Sequence, residues 1–363
     1  MRRRRLLCAL AAVPLAGWMP STAAAVDFAV VRPGRRLAFP VDHCAHPEFR
    51  TEWWYVTGWL RPGDSAPGAA LGFQVTFFRV RTGIGEDNPS RFAPSQLVIA
   101  HAALADPAFG RLRHAERAAR AGFGRAGWAT DTTRVWVGDW RLALDAGRYR
   151  AGVRGEDFAF ALDLAPDGPP LLHGEAGFSR KAPAVRHASY YYSRPQLAVA
   201  GSLTLGGPRR AVAGRAWLDH EWSSELLPSG AQGWDWVGIN LGDGGALMAF
   251  RLRDAAGATL WAGATLRSRG GGDRVLAPAD VEFVPRRRWR SPRTGIDYPV
   301  AWILRLGERR LDLDPLLDDQ ELDSRRSTGA IYWEGAVRVV EDGRALGEGY
   351  LEMTGYGEPI RVG

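Results

Sequence analysis

Apolar and polar residues alternate one by one along most of this chain, which is the period of a half-buried β-strand. Residues 71–78 read L-G-F-Q-V-T-F-F, and residues 158–164 read F-A-F-A-L-D-L. Many short segments of this kind, bounded by glycine or proline turns, are typical of β-sandwiches and barrels. The pattern therefore predicts an all-β protein. Further segments with this period are residues 197–205, 212–218, 234–241 and 336–340.

The first predicted strand is apolar on both of its faces. Residues 50–60 read R-T-E-W-W-Y-V-T-G-W-L, so Glu52 and Trp54 share one face while Trp53 and Tyr55 share the other. A strand that is covered on both sides fits a wall between a barrel interior and a second packed layer. We expect the strand to occupy such a wall.

A glycine-proline turn at residues 206–208 is the preferred domain boundary. It would divide the chain beyond its first 25 residues into an N-terminal domain of residues 26–206 and a C-terminal domain of residues 207–363. Each domain has a size that suits one β-barrel. The halves show no convincing sequence repeat, so any likeness between them would be structural only.

The first 25 residues have the three parts of a secretory signal peptide. Residues 2–5 are arginines, residues 6–18 are mostly apolar, and residues 23–25 form a small-residue cleavage signal. We predict cleavage before Val26 and a periplasmic or secreted protein, with Sec and twin-arginine export both open. No later apolar run is long enough to span a bilayer.

Charge and cysteine content argue against several classes of protein. Loss of the four N-terminal arginines leaves 43 basic and 40 acidic residues, so the net charge falls from +7 to +3. That balance gives no support to nucleic-acid binding. Only Cys44 remains, which excludes an internal disulfide and a cysteine zinc site. A metal held by the trio His43, Cys44 and His46 is the less favoured interpretation, and we expect no metal and no cofactor.

The segment W-L-D-H-E-W at residues 217–222 carries the first candidate chemistry. Alternation along a strand would place His220 and Trp222 on one face and Asp219 on the other. The zinc-protease motif H-E-x-x-H does not apply, because Ser224 stands where the second histidine is required. The competing interpretation is a buried histidine with satisfied hydrogen bonds at the end of a strand.

Glu52 is the second candidate. Burial beside Trp54 would raise the pKa of Glu52 and keep this carboxyl a proton donor near neutral pH. The alternative is an ion pair with an arginine such as Arg50 or Arg79. Tyr191, within a run of three tyrosines, could donate a hydrogen bond to a ligand or simply pack in the core.

Five ordered motifs carry a resemblance to a known family. They are T-E-W-W-Y-V-T-G-W-L, S-Y-Y-Y-S-R-P-Q-L, A-W-L-D-H-E-W-S-S, G-W-D-W and Y-W-E-G-A-V. The chain in this respect resembles the AttH-like family, which belongs with the carotenoid 1,2-hydratases. The resemblance implies two lipocalin-like antiparallel β-barrel lobes packed side by side. It also implies an association with an ABC export system, since bacterial relatives are often encoded beside such systems and called secreted hydrolases.

The hydratases of this group add water to the terminal C1–C2 double bond of acyclic carotenoids without a redox cofactor. Their His-x-Trp pair matches His220 and Trp222, whereas residues 247–253 lack the Tyr-x-Asp pair expected one strand downstream. Through the matching His-x-Trp pair, the resemblance implies acid-catalysed hydration of an apolar isoprenoid or lipid-like substrate. Asp219 or Glu52 would supply the proton and His220 would orient water. The expected ligand-binding side chains are Trp54, Trp222, Trp234 and Tyr191.

A non-catalytic carrier is the alternative interpretation. A lipocalin-like pocket can hold a lipid or another hydrophobic ligand without changing it, and such a carrier could serve an ABC export system. A purely structural envelope protein would need neither a cavity nor an acid. A cavity near Glu52 or His220 would argue against that third interpretation.

Overall fold

The computed structural model of this chain describes residues 26–63, 69–225 and 227–360. Nearly all regular structure in this part of the chain is antiparallel β-strand, in two large sheets. The all-β prediction is thereby confirmed. The predicted signal peptide of residues 1–25 lies outside the described residues.

Helical structure among the described residues is limited to two short 3-10 turns, Val41–His43 and Pro278–Asp280. No helix in that part of the chain has the length and hydropathy needed to cross a membrane. The strands therefore position most side chains of the candidate site, whereas His46 and Lys181 lie in connecting segments.

The first sheet has 13 strands, and contacts of β3 with β5 and β6 bring its ends together. It consequently curls into a nearly closed barrel, here called the N-lobe. Along the sheet the order is β4-β3-β2-β1-β13-β12-β9-β8-β7-β6-β5, and β10 and β11 both pair with β12. The strands are β1 (Thr51–Pro62), β2 (Leu71–Arg81), β3 (Gln96–Asp106), β4 (Arg111–Arg120), β5 (Ala126–Trp128), β6 (Arg134–Val137), β7 (Trp140–Asp145), β8 (Arg148–Arg154), β9 (Phe158–Ala165), β10 (Leu171–Leu172), β11 (Phe178–Arg180), β12 (Ala188–Leu205) and β13 (Arg210–Ser223).

The second sheet has 10 strands and forms the C-lobe. Its order is β17-β16-β15-β14-β23-β22-β20-β19-β18, with β21 paired to β22. The two lobes pack side by side, as the lipocalin-like resemblance implied. The strands are β14 (Gly233–Leu241), β15 (Ala246–Arg253), β16 (Thr259–Arg267), β17 (Asp273–Leu276), β18 (Val281–Arg290), β19 (Asp297–Leu306), β20 (Arg309–Pro315), β21 (Glu321–Ser324), β22 (Ala330–Glu341) and β23 (Arg344–Met353).

The turn at residues 206–208 connects β12 to β13, and these two strands pair with each other inside the N-lobe sheet. The chain passes from the first sheet to the second between Ser223 and Gly233. β13 therefore belongs to the N-lobe by its hydrogen bonds, although it follows the glycine turn in sequence.

β1 separates two apolar layers. Trp54 and Val56 belong to the buried core of the N-lobe, whereas Tyr55 and Trp59 pack among residues of the C-lobe sheet. Trp59 also donates its indole N–H to the carbonyl of Gly349, at 3.0 Å. Burial of each large apolar side chain contributes about 1.5–3 kcal/mol. The predicted two-faced strand is confirmed, and it forms the wall between the lobes together with β13.

Candidate active site

β13 distributes its ionisable side chains over the two faces of this wall. Tyr55 on β1 lies opposite Asp219, and Trp54 lies opposite His220. His220 and Trp222 point into the N-lobe, while Asp219 lines a cavity between the lobes. The predicted division of the W-L-D-H-E-W segment between two faces is therefore confirmed.

Inside the N-lobe, Glu52 is the centre of a buried cluster. Its Oε1 atom lies 2.8 Å from Nδ1 of His46 and 2.9 Å from Nε2 of His220. Its Oε2 atom accepts a hydrogen bond of 2.9 Å from Nε of Arg79. The side chains of Glu52, Arg79 and His220 are fully buried. We call Glu52, His46, Arg79 and His220 the N-lobe cluster.

Burial by itself would raise the pKa of Glu52, but the hydrogen bonds from His220 and His46 and the charge of Arg79 hold it well below its usual range. Glu52 is consequently a carboxylate rather than a proton donor. The expectation of a raised pKa is wrong, because the fully buried carboxylate has a guanidinium partner. The alternative interpretation, an ion pair with Arg79, is confirmed.

Aromatic rings enclose the two histidines of the N-lobe cluster. The indole of Trp222 stacks on His46 with ring centroids 3.7 Å apart, and Trp54 stacks on His220 at 4.8 Å. Burial lowers the pKa of His220 to about 4, so this imidazole is neutral at pH 7. Burial also opposes a charge on His46, yet hydrogen bonds to Asp42 and Glu52 raise its pKa overall.

The N-lobe cluster also has the donor atoms of a metal site. Ligand atoms of His46, Glu52 and His220 all lie within 4.8 Å of one another. Two imidazoles and a carboxylate suit zinc. The carboxylate, however, already carries the Arg79 guanidinium at 2.9 Å, and that positive charge opposes a second cation. We therefore interpret the cluster as a buried ion-pair network.

A cavity of about 370 Å³ lies on the other face of the wall, between the lobes. Glu52 and Arg79 contribute to its boundary, although neither side chain is exposed. A cavity of this size with apolar walls and a few polar groups is typical of small-molecule sites. Its principal side chains are Trp53, Tyr55, Phe78, Lys181, Tyr191, Asp219, Glu221, Trp234, Trp236, Phe250, Tyr332, Glu334 and Glu352.

Asp219 lies in the wall of this interlobe cavity. It accepts hydrogen bonds from the Tyr191 hydroxyl at 2.7 Å, from the Trp217 indole at 2.6 Å and from the Ser193 hydroxyl. Burial raises the pKa of Asp219 to about 7, although these donors lower it. A substantial fraction of this carboxyl is therefore protonated at neutral pH.

Two further acids line the cavity from the C-lobe. Glu334 on β22 lies directly opposite Glu352 on β23. Burial raises the pKa of Glu352 to about 7, although the Trp234 indole donates a hydrogen bond of 2.8 Å to it. Burial and the neighbouring Glu352 raise the pKa of Glu334 well above its usual value. Glu334 lies within the Y-W-E-G-A-V motif, but sequence reasoning selected neither acid.

Lys181 supplies the ammonium group of the cavity. Its Nζ atom lies 2.9 Å from Oε1 of Glu221 and 4.3 Å from the ring centroid of Phe250. Lys181 is the only lysine in the chain. Because Glu221 takes up this charge, the other acids of the cavity receive little compensation from it.

The structure divides the candidate residues from the sequence into two groups. Glu52 and His220 contact each other in the N-lobe cluster. Asp219 lies on the opposite face of β13 with Tyr191, and Trp234 lines the same cavity. The side chains of the two proposed acids therefore lie on opposite faces of the wall. Of the expected ligand-binding side chains, Trp54 and Trp222 lie in the N-lobe, and Tyr191 and Trp234 line the interlobe cavity.

The fold and the cavity together define a two-lobed lipocalin-like protein. The AttH-like family matches residues 30–356, and the chain belongs to this family. The chain is similar to a protein assigned as AttH from Nitrosomonas europaea, whose crystal structure matches with a TM-score of 0.85 and a sequence identity of 50%. The match covers 91% of this chain and 100% of that protein. No curated protein sequence matches the chain.

More distant structures share the fold alone. Kievitone hydratase from Nectria haematococca is 15% identical with a TM-score of 0.67, over 91% of this chain and 96% of that chain. CghA, solved with Sch210972, is 15% identical with a TM-score of 0.53, over 85% of this chain and 89% of that one. The chain thus shares its fold with kievitone hydratase and with CghA.

Proposed function

We propose that the protein adds water to an alkene of an apolar isoprenoid or lipid-like substrate bound between the lobes, with Asp219 as the acid. One observation carries this proposal: a buried carboxyl with a pKa of about 7 lies in the wall of a largely apolar cavity. A carboxyl with that pKa can donate a proton at neutral pH. Fold similarity to kievitone hydratase supports the reaction class.

The reaction needs only a proton and water. The alkene π electrons form a C–H bond with the Asp219 proton, which leaves a cation on the neighbouring carbon. A lone pair of water forms the C–O bond, and the proton released from that water returns to the Asp219 carboxylate. The indole faces of Trp234 and Trp236 would stabilise the cationic intermediate. Both tryptophans line the cavity.

The N-lobe cluster acts on this site indirectly. Glu52 and His220 join β1 to β13, and these strands carry Tyr55 and Asp219 into the cavity. The sequence-based roles of Glu52 as acid and His220 as water-orienting group would require direct contact with substrate. The complete burial of both side chains favours a positioning role instead.

The test is incubation of the purified protein with acyclic terpenes that end in a trisubstituted alkene, in water labelled with heavy oxygen. We expect a labelled tertiary alcohol in the product, identified by mass spectrometry. Asp219→Asn should reduce turnover about 10²–10⁴-fold. Glu341→Gln, which changes an acid near the surface, is the matched control. Full activity of the Asp219→Asn variant would remove this mechanism.

The same cavity also suits the carrier alternative. A carrier would release an intact hydrophobic ligand, observable by native mass spectrometry, and would leave the terpenes unchanged. For either activity we propose a periplasmic or secreted location, and the carrier could work with an ABC export system. N-terminal sequencing of protein recovered from the periplasm or medium tests the location, because it should begin near Val26.

A further inference from the structure

One carboxyl in the wall of the interlobe cavity has an oxygen without a hydrogen-bond partner of standard geometry within the described residues. Glu334 is 2% exposed and lines the cavity. Its Oε2 atom has no hydrogen-bond partner of standard geometry within the described part of the chain. The side chains of Tyr55 and Gln74 interact with Glu334 and lower its pKa, but burial outweighs them. Buried polar atoms normally have partners in native proteins. The arrangement therefore points to a polar or charged group of a ligand beside Glu334.

The acids around Glu334 have no basic partner within the described residues that would balance them when they ionise. Asp219, Glu334 and Glu352 all line the cavity, yet within residues 26–63, 69–225 and 227–360 none of them forms an ion pair with arginine or lysine. Two basic side chains of the wall are already committed, since Lys181 pairs with Glu221 and Arg79 with Glu52. A ligand with a positive charge would complete this set.

Aromatic rings add a second attraction for a cation. Tyr55 and Trp236 meet edge to face with ring centroids 5.4 Å apart, and both line the cavity. Trp234 holds its indole 2.8 Å from Glu352. Aromatic faces beside carboxyl groups are the recognised means of binding substituted ammonium groups in an apolar site.

The geometry points to a cation-selective subsite, in which Glu334 and Glu352 bind an ammonium group carried by an apolar chain. This inference deepens the proposed function, because a substituted ammonium resembles in charge the carbocation that hydration would create. It adds Glu334 and Glu352 to Asp219 as determinants of that selectivity. It also stands apart from turnover, since selectivity can be measured by binding alone.

The first experiment compares three probes that differ in their head group: decyltrimethylammonium, decanol and decanoate, each below its micelle concentration. Binding is measured by calorimetry and by tryptophan fluorescence, because Trp53, Trp234 and Trp236 line the cavity. We expect the cation to bind about tenfold or more tightly than decanol, and decanoate to bind most weakly. Equal or tighter binding of decanol would overturn the inference.

Two variants assign the selectivity to residues. Glu334→Gln and Glu352→Gln each keep the shape of the side chain and should weaken binding of the cation about tenfold while leaving decanol unchanged. Glu341→Gln is the matched control, because Glu341 lies on β22 with Glu334 but pairs with Arg309 near the surface. If both cavity variants bind the cation as the control does, the subsite is refuted.

Proton release gives an independent readout. The probe has a permanent charge, so cavity carboxyls must lose protons to pair with it, and its affinity should rise about fivefold or more from about pH 6 to about pH 8. Calorimetry in buffers of different ionisation enthalpy should show release of protons. The titratable and charged groups that face Glu352 in this experiment are Glu334, Asp219, Glu221, Lys181, Tyr55 and Tyr332.

Absence of hydration with retained cation selectivity would refute the proposed reaction but not this subsite.

Discussion

Two groups of buried acids lie on opposite faces of the wall that β1 and β13 form. In the N-lobe cluster, Glu52 is bound by Arg79 and two histidines, and its pKa lies well below the usual range. In the interlobe cavity, burial raises the pKa of both Asp219 and Glu352 to about 7. All of these carboxyls are removed from bulk water. The difference between them comes from their partners.

The comparison separates stabilisation from reactivity. A buried carboxylate that has a guanidinium and imidazoles around it keeps its charge and becomes part of the framework. A buried carboxyl that receives only neutral donors keeps a proton it can transfer at pH 7. Charge pairing therefore distinguishes the structural acid from the chemical one, although the sequence presents both within tryptophan-dense segments.

The C-lobe repeats the paired arrangement. Asp235 on β14 lies opposite Arg251 on β15, as Glu52 on β1 lies opposite Arg79 on β2. The Arg251 guanidinium donates a hydrogen bond of 2.7 Å to Asp235, and the Tyr356 hydroxyl donates another of 2.9 Å. A paired acid on corresponding strands is thus common to both lobes, whereas Asp219, Glu334 and Glu352, the acids with a raised pKa among the described residues, lie where the lobes meet.

The largest expected effect follows from breaking the N-lobe cluster. Glu52→Gln leaves the Arg79 guanidinium buried without its carboxylate, so the free energy of unfolding should fall by about 3–5 kcal/mol. Urea denaturation measures the loss. Glu282→Gln, which removes an exposed partner of Arg305, should change stability by less than about 1 kcal/mol. A loss below that of the control would contradict the structural role of Glu52.

An intermediate effect concerns the pH dependence of stability. The folded pKa of Asp219, about 7, exceeds its usual value of 3.8, so the folded state holds this proton more tightly. Its contribution to stability is therefore present at low pH and declines as the pH rises to about 7. Asp219→Asn removes that decline. Relative to wild type, the variant should gain about 2–4 kcal/mol between about pH 4 and about pH 7.

The direction in which stability changes with pH distinguishes Asp219 from Glu52. Glu52 has a lowered folded pKa, so its contribution is present above its usual pKa of 4.5 and is lost as the pH falls below that value. Denaturation curves of Asp219→Asn and wild type, recorded at several pH values, measure the difference. A constant offset across the range would show that Asp219 carries an ordinary pKa.

The smallest of the three effects tests the ring that covers His46. Trp222 stacks on this imidazole at 3.7 Å with the ring planes 7° apart. Trp222→Phe keeps an aromatic face there but loses contact area, so the expected cost is about 1–2 kcal/mol. The same denaturation assay applies, and Trp136→Phe in a partly exposed strand is the control. A cost above that of Glu52→Gln would reverse the ranking of charge and packing.

The faces of β1 and β13 could be predicted from sequence because a strand has a period of two residues and both segments are regular. That local rule correctly separated Asp219 from His220. The sequence also offered Arg79 as an ion-pair partner of Glu52. The turn at residues 206–208 was less informative, because turn residues mark where a strand ends and carry no information on which sheet the next strand joins.

The acids of the C-lobe could not be selected from sequence. Glu334 lies within the Y-W-E-G-A-V motif, but nothing local distinguishes it from an acid with an arginine neighbour. Its character depends on the pairing of β22 with β23 and on the approach of the N-lobe wall to that pair. Such contacts join residues far apart in the chain, so they follow from the packing of sheets and not from any short pattern.

The register of β1 against β13 is continuous from the Thr51–Ser223 pair to the Pro62–Val212 pair. Inserting or deleting one residue in either strand would turn every side chain beyond it to the opposite face. Exchange of single residues avoids that inversion. Substitutions at positions 219 and 221 can therefore change the chemistry of the cavity while positions 220 and 222 keep their contacts in the N-lobe. The two faces of this strand can thus evolve independently.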